Sequence, residues 1–146
     1  RIANGWLIST RAKYETIARQ SLLHKDALEE YGTEGTIWAW RECYVDESKE
    51  KAIETIRPYA EALYADRASL GHARDLPDAD RLDTSFDEIV KDRFIIGNVD
   101  ECVEEIKRYE ALGVESIVFR MQWPEMPQQL TLNSIKKMND VIKHFR

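Results

Sequence analysis

Three side chains near the end of the sequence follow a strand pattern at a position suited to ligand binding. Residues Ser116 to Phe119 form a short β-branched and aromatic run that is typical of a buried strand. Arg120, Gln122 and Trp123 come directly after it. Because α/β folds bind ligands at the carboxyl ends of parallel strands, these residues are candidates for a pocket. Arg120 could hold an anionic group there, or it could pair with a carboxylate inside the fold.

An earlier strand, predicted from Thr36 to Val45, contains charged residues in its middle. Alternation along a strand places Glu42 on one face and Arg41 on the other. A buried charge is costly unless it is paired, so each needs a partner. We predict that Glu42, a further pocket candidate, forms a buried ion pair with Arg120 on the adjacent strand, near the pocket. A structural purpose is favoured for this pair, and a catalytic one is the alternative.

The elements that must position these groups alternate between strand and helix. Strands are predicted at Gly5 to Ser9, Thr36 to Val45 and Ser116 to Phe119, and a helical pattern follows each of them. The clearest helix begins at Asn98, where Glu101 is placed to complete a capping box. The last helical pattern has an apolar stripe of Leu132, Ile135, Met138, Ile142 and Phe145. Such alternation indicates an α/β fold with a parallel sheet.

Three parallel strands alone would leave two open apolar edges, which soluble proteins avoid. A (β/α)8 TIM barrel closes its sheet, and such barrels have about 250 residues. We therefore interpret residues 1–146 as the last three βα units of a (β/α)8 barrel. The chain opens on Arg1 rather than Met, before an Asn4-Gly5 pair that resembles a helix end. We accordingly expect it to be the C-terminal piece of a longer protein.

The segment at about 65–85 is polar and lacks clear periodicity. We interpret it as an insertion or lid, because plain connections of this length are uncommon. His72 and Arg74 are candidates to reach a ligand from this lid. A solvated loop is the alternative.

Composition and charge exclude several classes of function. The sequence is 43% hydrophobic and 33% charged, and its net charge of −6 includes no basic block. We therefore expect neither nucleic acid nor membrane as a partner. Cys43 and Cys102 are too few for a disulfide framework, so we predict reduced core cysteines in a cytoplasmic protein. Zinc, nucleoside-triphosphate and serine-hydrolase motifs are missing from the sequence, and no metal is expected.

Three stretches, in the same order, resemble the luciferase-like monooxygenase family. Residues 94–127 resemble its F-x-x-G-T-P-E-E segment, the following helix, a G-V-x-x-h-x-h-R strand and a Q-W-P-G-M-type loop. Asn4-Gly5-Trp6-Leu7 resembles the family's A-D-G-W-L strand entry. Arg41-Glu42-Cys43-Tyr44-Val45 resembles its R-E-x-Y-V strand. The family consists of (β/α)8 barrels that use reduced flavin, with relatives that use the deazaflavin F420.

The resemblance implies a flavin-dependent monooxygenase or oxidoreductase, with FMN or F420 as cofactor and a small organic substrate. It makes Trp6 and Ser9, at the exit of the first strand, pocket candidates beside Arg120 and Trp123. A core tryptophan between strand and helix is the alternative for Trp6. The resemblance also implies that the flavin phosphate is bound by earlier strands, so this chain alone should bind flavin weakly or not at all.

Two other interpretations stay open at this point. The chain could be a non-catalytic barrel fragment that assembles through its sheet edges, as a homo-oligomer or with the missing N-terminal half of a barrel. It could also belong to a different (β/α)8 enzyme that shares only the architecture. No residue is an obvious acid or base, so the catalytic residues are unknown.

Overall fold

The computed structural model of the protein describes residues 5–71 and 76–146. Residues 1–4, with the predicted helix end, and the lid candidates His72 and Arg74 lie outside this range. The elements in chain order are β1 (Trp6–Ile8), α1 (Tyr14–Glu30), β2 (Ile37–Val45), α2 (Lys49–Ser69), a 3-10 turn (Asp78–Asp80), α3 (Phe86–Val90), β3 (Phe94–Gly97), α4 (Val99–Ala111), β4 (Ser116–Arg120), α5 (Gln128–Ile142) and a final 3-10 turn (Lys143–Phe145).

The strands form one parallel sheet centred on β2. The first part of β2, residues 37–39, pairs with β1, and its last part, residues 42–45, pairs with β3. Residues 38–42 pair with β4. Residues 38 and 39 of β2 pair with both β1 and β4, and Glu42 pairs with both β3 and β4. Because a strand has only two edges, β1 and β3 lie end to end along one edge of β2, and β4 lies along the other. The predicted α/β fold, with parallel strands followed by helices, is confirmed.

Two hydrophobic cores cover the two faces of this sheet. On one face, Ala39 and Cys43 pack against α1, α4 and α5 through residues such as Ile17, Cys102 and Met138. On the other face, α2 and α3 cover only the carboxyl end of the sheet, around the side chains of Tyr44, Tyr64, Phe86, Phe94, Ile96 and Trp123. Cys43 and Cys102 are buried and unbridged, as the sequence predicted. The capping box of Asn98 and Glu101 at the start of α4 is also confirmed.

The sequence predicted three strands, and the structure adds β3 as a fourth. Phe94–Gly97 forms a strand of four residues, directly before the helix that Asn98 caps. It pairs with β2 beyond the end of β1, so its partner is distant in the sequence.

The predicted apolar stripe of the last helix is wrong at three positions. Leu132, Ile135 and Phe145 are exposed, whereas Thr131 and Ser134 are buried with Met138. The Ser134 hydroxyl accepts a hydrogen bond at 2.8 Å from the backbone N–H of Val45, the last residue of β2. Satisfying this buried N–H turns α5 so that a serine faces the sheet. Of the helices in residues 5–71 and 76–146, none combines the length and apolar character needed to cross a membrane.

Candidate functional site

One face of the sheet bears the predicted charged pair and is called the inner face here. Paired residues of parallel strands point to the same side, so the register places Leu7, Trp38, Trp40, Val118, Glu42 and Arg120 together on it. At the carboxyl end, Tyr44 and Phe94 continue this face beneath α2 and α3. The inner face is therefore exposed and apolar at one end, charged in the middle and covered at the other end.

Glu42 and Arg120 form the ion pair that the sequence predicted. They lie opposite each other on β2 and β4, and Arg120 Nη1 donates a hydrogen bond to Glu42 Oε1 at 3.1 Å. Glu42 is 0% exposed, whereas the side chain of Arg120 is 21% exposed. The Arg120 guanidinium also lies over the Trp40 ring, 4.9 Å from its centroid. The pair thus has one buried partner and one that borders the open part of the inner face.

Two residues of α2 complete the surroundings of Glu42. The Tyr64 hydroxyl donates a hydrogen bond to Glu42 Oε1 at 3.2 Å, and Arg67 Nη1 lies 3.6 Å from the same oxygen. Sequence analysis missed both residues. Their spacing of three along a helix was the available signal, because it places both on one helix face.

Several polar atoms around this carboxylate lack a partner among the described residues. Glu42 Oε2, Arg67 Nη1 and Trp123 Nε1 are buried without a hydrogen bond. The Trp123 side chain nevertheless approaches Glu42 closely enough to oppose the rise in the pKa of that carboxyl. Both donors therefore belong to the surroundings of the Glu42 carboxylate itself.

Burial raises the pKa of Glu42, and the positive charges of Arg120 and Arg67 oppose this shift. Burial likewise raises the pKa of Tyr64, and the nearby Glu42 carboxylate adds to the increase. Tyr64 is therefore a hydrogen-bond donor rather than a proton source at neutral pH.

The remaining predicted site residues lie apart from this cluster. Trp6 faces the other side of the sheet, where its ring lies 5.8 Å from that of His24 on α1. Ser9 is exposed, and its hydroxyl accepts hydrogen bonds from Arg11. Gln122 is also exposed. Trp123 is buried and stacks on Phe94 with ring centroids 6.4 Å apart. The structure thus brings Glu42, Arg120 and Trp123 together, and it does not bring Trp6, Ser9 or Gln122 to them.

A second buried charged group lies on the opposite face of the sheet. Arg41 donates to the carbonyl of Ala12 at 3.0 Å and lies over the Tyr109 ring. Arg93 donates to the backbone carbonyls of Arg11, Arg81, Glu88 and Ile89. Carbonyl acceptors and buried surroundings indicate a structural role for both arginines. The described residues contain no cluster of histidine, cysteine or carboxylate side chains that could hold a metal ion.

Solved structures similar to this chain include a monooxygenase and two oxidoreductases whose names specify FMN or coenzyme F420. One is a monooxygenase from Streptomyces bottropensis, with a TM-score of 0.66 and 17% identity. Another is the oxygenating constituent of 3,6-diketocamphane monooxygenase from Pseudomonas putida, in complex with FMN, with a TM-score of 0.57 and 14% identity. A third is a coenzyme F420-dependent tetrahydromethanopterin reductase from Methanopyrus kandleri, with a TM-score of 0.60 and 18% identity.

These three matches cover 97%, 92% and 99% of this chain but only 41%, 40% and 46% of the matched chains. The chain therefore spans less than half the length of these proteins. No family model and no curated protein matches the sequence. The resemblance to luciferase-like monooxygenases is confirmed at the level of the fold.

Proposed function

We propose that this chain forms the C-terminal part of a flavin- or F420-dependent oxidoreductase of the luciferase-like type, acting on a small organic substrate. In this proposal β1, β2 and β4 are the last three strands of a (β/α)8 barrel, and β3 is an additional strand. The observation that carries the proposal is the exposed apolar part of the inner face.

Four large apolar side chains of neighbouring strands are exposed on that face. They are Leu7, Trp38, Trp40 and Val118. The large Trp38 side chain, for example, is 48% exposed. The interior of a (β/α)8 barrel is filled by layers of bulky side chains from neighbouring strands, which is the arrangement these four residues have. Exposure of this layer is expected if further strands of the barrel form the opposite side of its interior.

The flanks of the sheet support the same conclusion. Among the described strands, β4 pairs with β2 alone, so its outer edge has unpaired backbone groups. A groove of about 320 Å³ lies beside this edge, lined by apolar side chains including Ile106, Ile117, Phe119, Ile142 and Phe145. On the helix layer, Leu132 and Ile135 of α5 and Leu22 and Leu23 of α1 are exposed. The outer edge of β4 and the exposed surface of the helix layer are thus both suited to contact with a neighbouring βα unit.

The residues of the inner face fit the ring system of a flavin better than its phosphate. Arg120 is a partly exposed cation, and its guanidinium lies over the exposed Trp40 ring. These groups suit a planar ring with negatively polarised oxygen and nitrogen atoms. At the N-terminus of α4, by contrast, Asp100 and Glu101 would repel a phosphate. In the bound state the flavin or deazaflavin supplies the redox chemistry, and the protein positions the reactants and excludes water.

Cofactor titration of two proteins tests this proposal. One protein is the 146-residue chain, and the other is the product of the complete reading frame that encodes it. Each is titrated separately with FMN and with F420, and binding is followed by cofactor fluorescence. We expect the complete protein to bind one of the two at least tenfold more tightly than the 146-residue chain does. Absence of binding of both cofactors to the complete protein would overturn the proposal.

The same preparations test the alternative of an assembly module. If the complete protein binds neither cofactor, and sedimentation shows a defined oligomer of the 146-residue chain, the exposed edges serve association rather than catalysis. A charged substitution at Ile117, beside the outer edge of β4, should then dissociate that oligomer.

A further inference from the structure

Arg120 presents a cationic group whose orientation is set by contacts on two sides. Its Nη1 donates to Glu42, and its guanidinium lies over the Trp40 ring. Within residues 5–71 and 76–146, the bond to Glu42 is the single hydrogen bond of this side chain. Its other N–H donors border the exposed part of the inner face, because the side chain is 21% exposed while Glu42 is 0% exposed.

Glu42 is itself held in place by groups from a second element. Tyr64 and Arg67 of α2 both approach Oε1, the oxygen that accepts the Arg120 bond. A buried carboxylate oxygen that accepts hydrogen bonds from Tyr64 and Arg120, with the Arg67 cation 3.6 Å away, has little freedom to move. Glu42 therefore transmits the position of α2 to Arg120 on β4.

We propose that Glu42 is a positioning residue, which holds Arg120 against Trp40 so that the free guanidinium donors face the negatively polarised edge of the bound flavin or deazaflavin ring. This inference rests on the proposed function. Glu42 does not touch the cofactor in this arrangement, and Arg120 does. The buried pair thus has a role in cofactor binding in addition to its role in the fold.

The redox state of the ring provides a readout that folding alone does not change. A ring that takes up two electrons and one proton carries one more negative charge than the oxidised ring. A fixed cation beside it binds the reduced form more tightly than the oxidised form and so raises the midpoint potential. Loss of the cation, or of its orientation, should lower that potential.

The experiment uses the complete protein and whichever of FMN and F420 it binds. Arg120→Met should weaken the preference for reduced over oxidised cofactor about tenfold, which corresponds to about 30 mV for a two-electron couple. Glu42→Gln should also weaken this preference, because the loss of Arg120 orientation outweighs the loss of the carboxylate charge, which alone would raise the potential. In the double variant, Glu42→Gln should weaken the preference no further than Arg120→Met does, because Glu42 acts through Arg120. Glu104→Gln, at an exposed carboxylate paired with Lys107, is the matched control and should leave the potential unchanged.

Equal effects of Glu42→Gln in the presence and absence of Arg120 would overturn the inference, as would an unchanged potential in both single variants. Tyr64→Phe provides a second test if the Glu42 variant does not fold, since it removes one hydroxyl donor to Glu42. Tyr64→Phe should lower the midpoint potential of the protein that retains Arg120 and should not change that of the Arg120→Met variant. If the unaltered protein binds neither cofactor, the proposed function fails and this inference fails with it. If the unaltered protein binds one cofactor and the effects of Glu42→Gln and Arg120→Met on the midpoint potential are additive, only this inference fails.

Discussion

The Asp80 carboxylate accepts a hydrogen bond at 2.8 Å from the backbone N–H of Lys13, which lies 67 residues earlier in the chain. This contact joins the 3-10 turn before α3 to the loop that follows β1. Asp80 is fully buried. Burial lowers the pKa of both Arg41 and Arg93, and the Asp80 carboxylate opposes that change in each. Asp80 is therefore both an acceptor for the loop and a negative charge near two buried cations.

Replacement of Asp80 should destabilise the fold. Asp80→Ala should lower the free energy of unfolding by about 1–3 kcal/mol, because it leaves the Lys13 N–H unsatisfied and removes a buried counter-charge. Asp80→Asn should cost less, since the amide oxygen can still accept the bond. Urea denaturation measures both. Asp83→Ala, at an exposed carboxylate paired with Arg81, is the control and should change stability by less than about 0.5 kcal/mol. Similar losses at positions 80 and 83 would contradict the assignment.

Gly97 links β3 to the capping box of α4. Its φ is 146°, and a Cβ at this position would lie 2.4 Å from Glu101 Oε2, the atom that accepts the backbone N–H of Asn98. Gly97→Ala should therefore lower the free energy of unfolding by about 2–4 kcal/mol, through backbone strain and loss of the cap. Gly32→Ala is the matched control, because its φ of 58° is also positive but nothing lies within 4 Å of the added Cβ.

Thermal denaturation compares the two glycine variants. Gly32→Ala should lower the free energy of unfolding by about 1–2 kcal/mol, because it introduces backbone strain at positive φ without a steric contact. A loss for Gly97→Ala no larger than that for Gly32→Ala would show that the contact with Glu101 is relieved without cost.

Glu42 should make stability depend on pH in a defined direction. Burial raises its pKa above the ordinary value of 4.5, against the opposing charges of Arg120 and Arg67. The folded protein therefore retains a proton that the unfolded chain has lost, and this contribution to stability declines as pH rises from about 4.5 through the folded-state pKa. Glu42→Gln removes the titration. The free energy of unfolding of the original protein minus that of the variant should consequently fall over this pH range and then become constant.

Urea denaturation at a series of pH values measures this difference. Glu104→Gln serves again as the exposed control. A difference for Glu42→Gln that rises with pH would mean that the nearby arginines, rather than burial, dominate the environment of Glu42.

Substitution of Trp38 should change stability little in the 146-residue chain and strongly in the complete protein described under Proposed function. In the 146-residue chain its ring is 48% exposed, so Trp38→Lys should reduce self-association and change the free energy of unfolding by less than about 1 kcal/mol. In the complete protein a lysine at this position would be buried in the barrel interior without a partner, at a cost of several kcal/mol. Sedimentation and urea denaturation of both proteins provide the comparison. An equally mild effect in both would contradict a closed barrel.

Local signals in the sequence were sufficient for much of the fold. The β-branched and aromatic residues at Ser116 to Phe119 and at Thr36 to Val45 predicted two strands, because such side chains favour a pleated and buried backbone. The capping box at Asn98 and Glu101 was predicted because its two contacts span three residues. β3 was missed because its apolar run leads directly into the helix capped by Asn98 and its partner on β2 is distant in the sequence.

The candidate site was predictable only in part. The pairing of Glu42 with Arg120 followed from the cost of a buried charge and from the adjacency of parallel strands. Tyr64 and Arg67 were not predicted, because their contact with Glu42 depends on how α2 crosses the inner face. The face on which Trp6 lies was left open for the same reason, since a three-residue strand shows its register only when paired.

The sequence by itself determined the alternation of three strands with helices, the capping box of α4 and the need of Glu42 for a cationic partner. These properties depend on neighbouring residues and on the energetics of burial. The tertiary structure alone decided that Asp80 reaches Lys13, that Ser134 rather than Ile135 faces the sheet, and that α2 covers Glu42. Such contacts join residues between 22 and 89 positions apart, and they are set by the packing of whole elements rather than by local pattern.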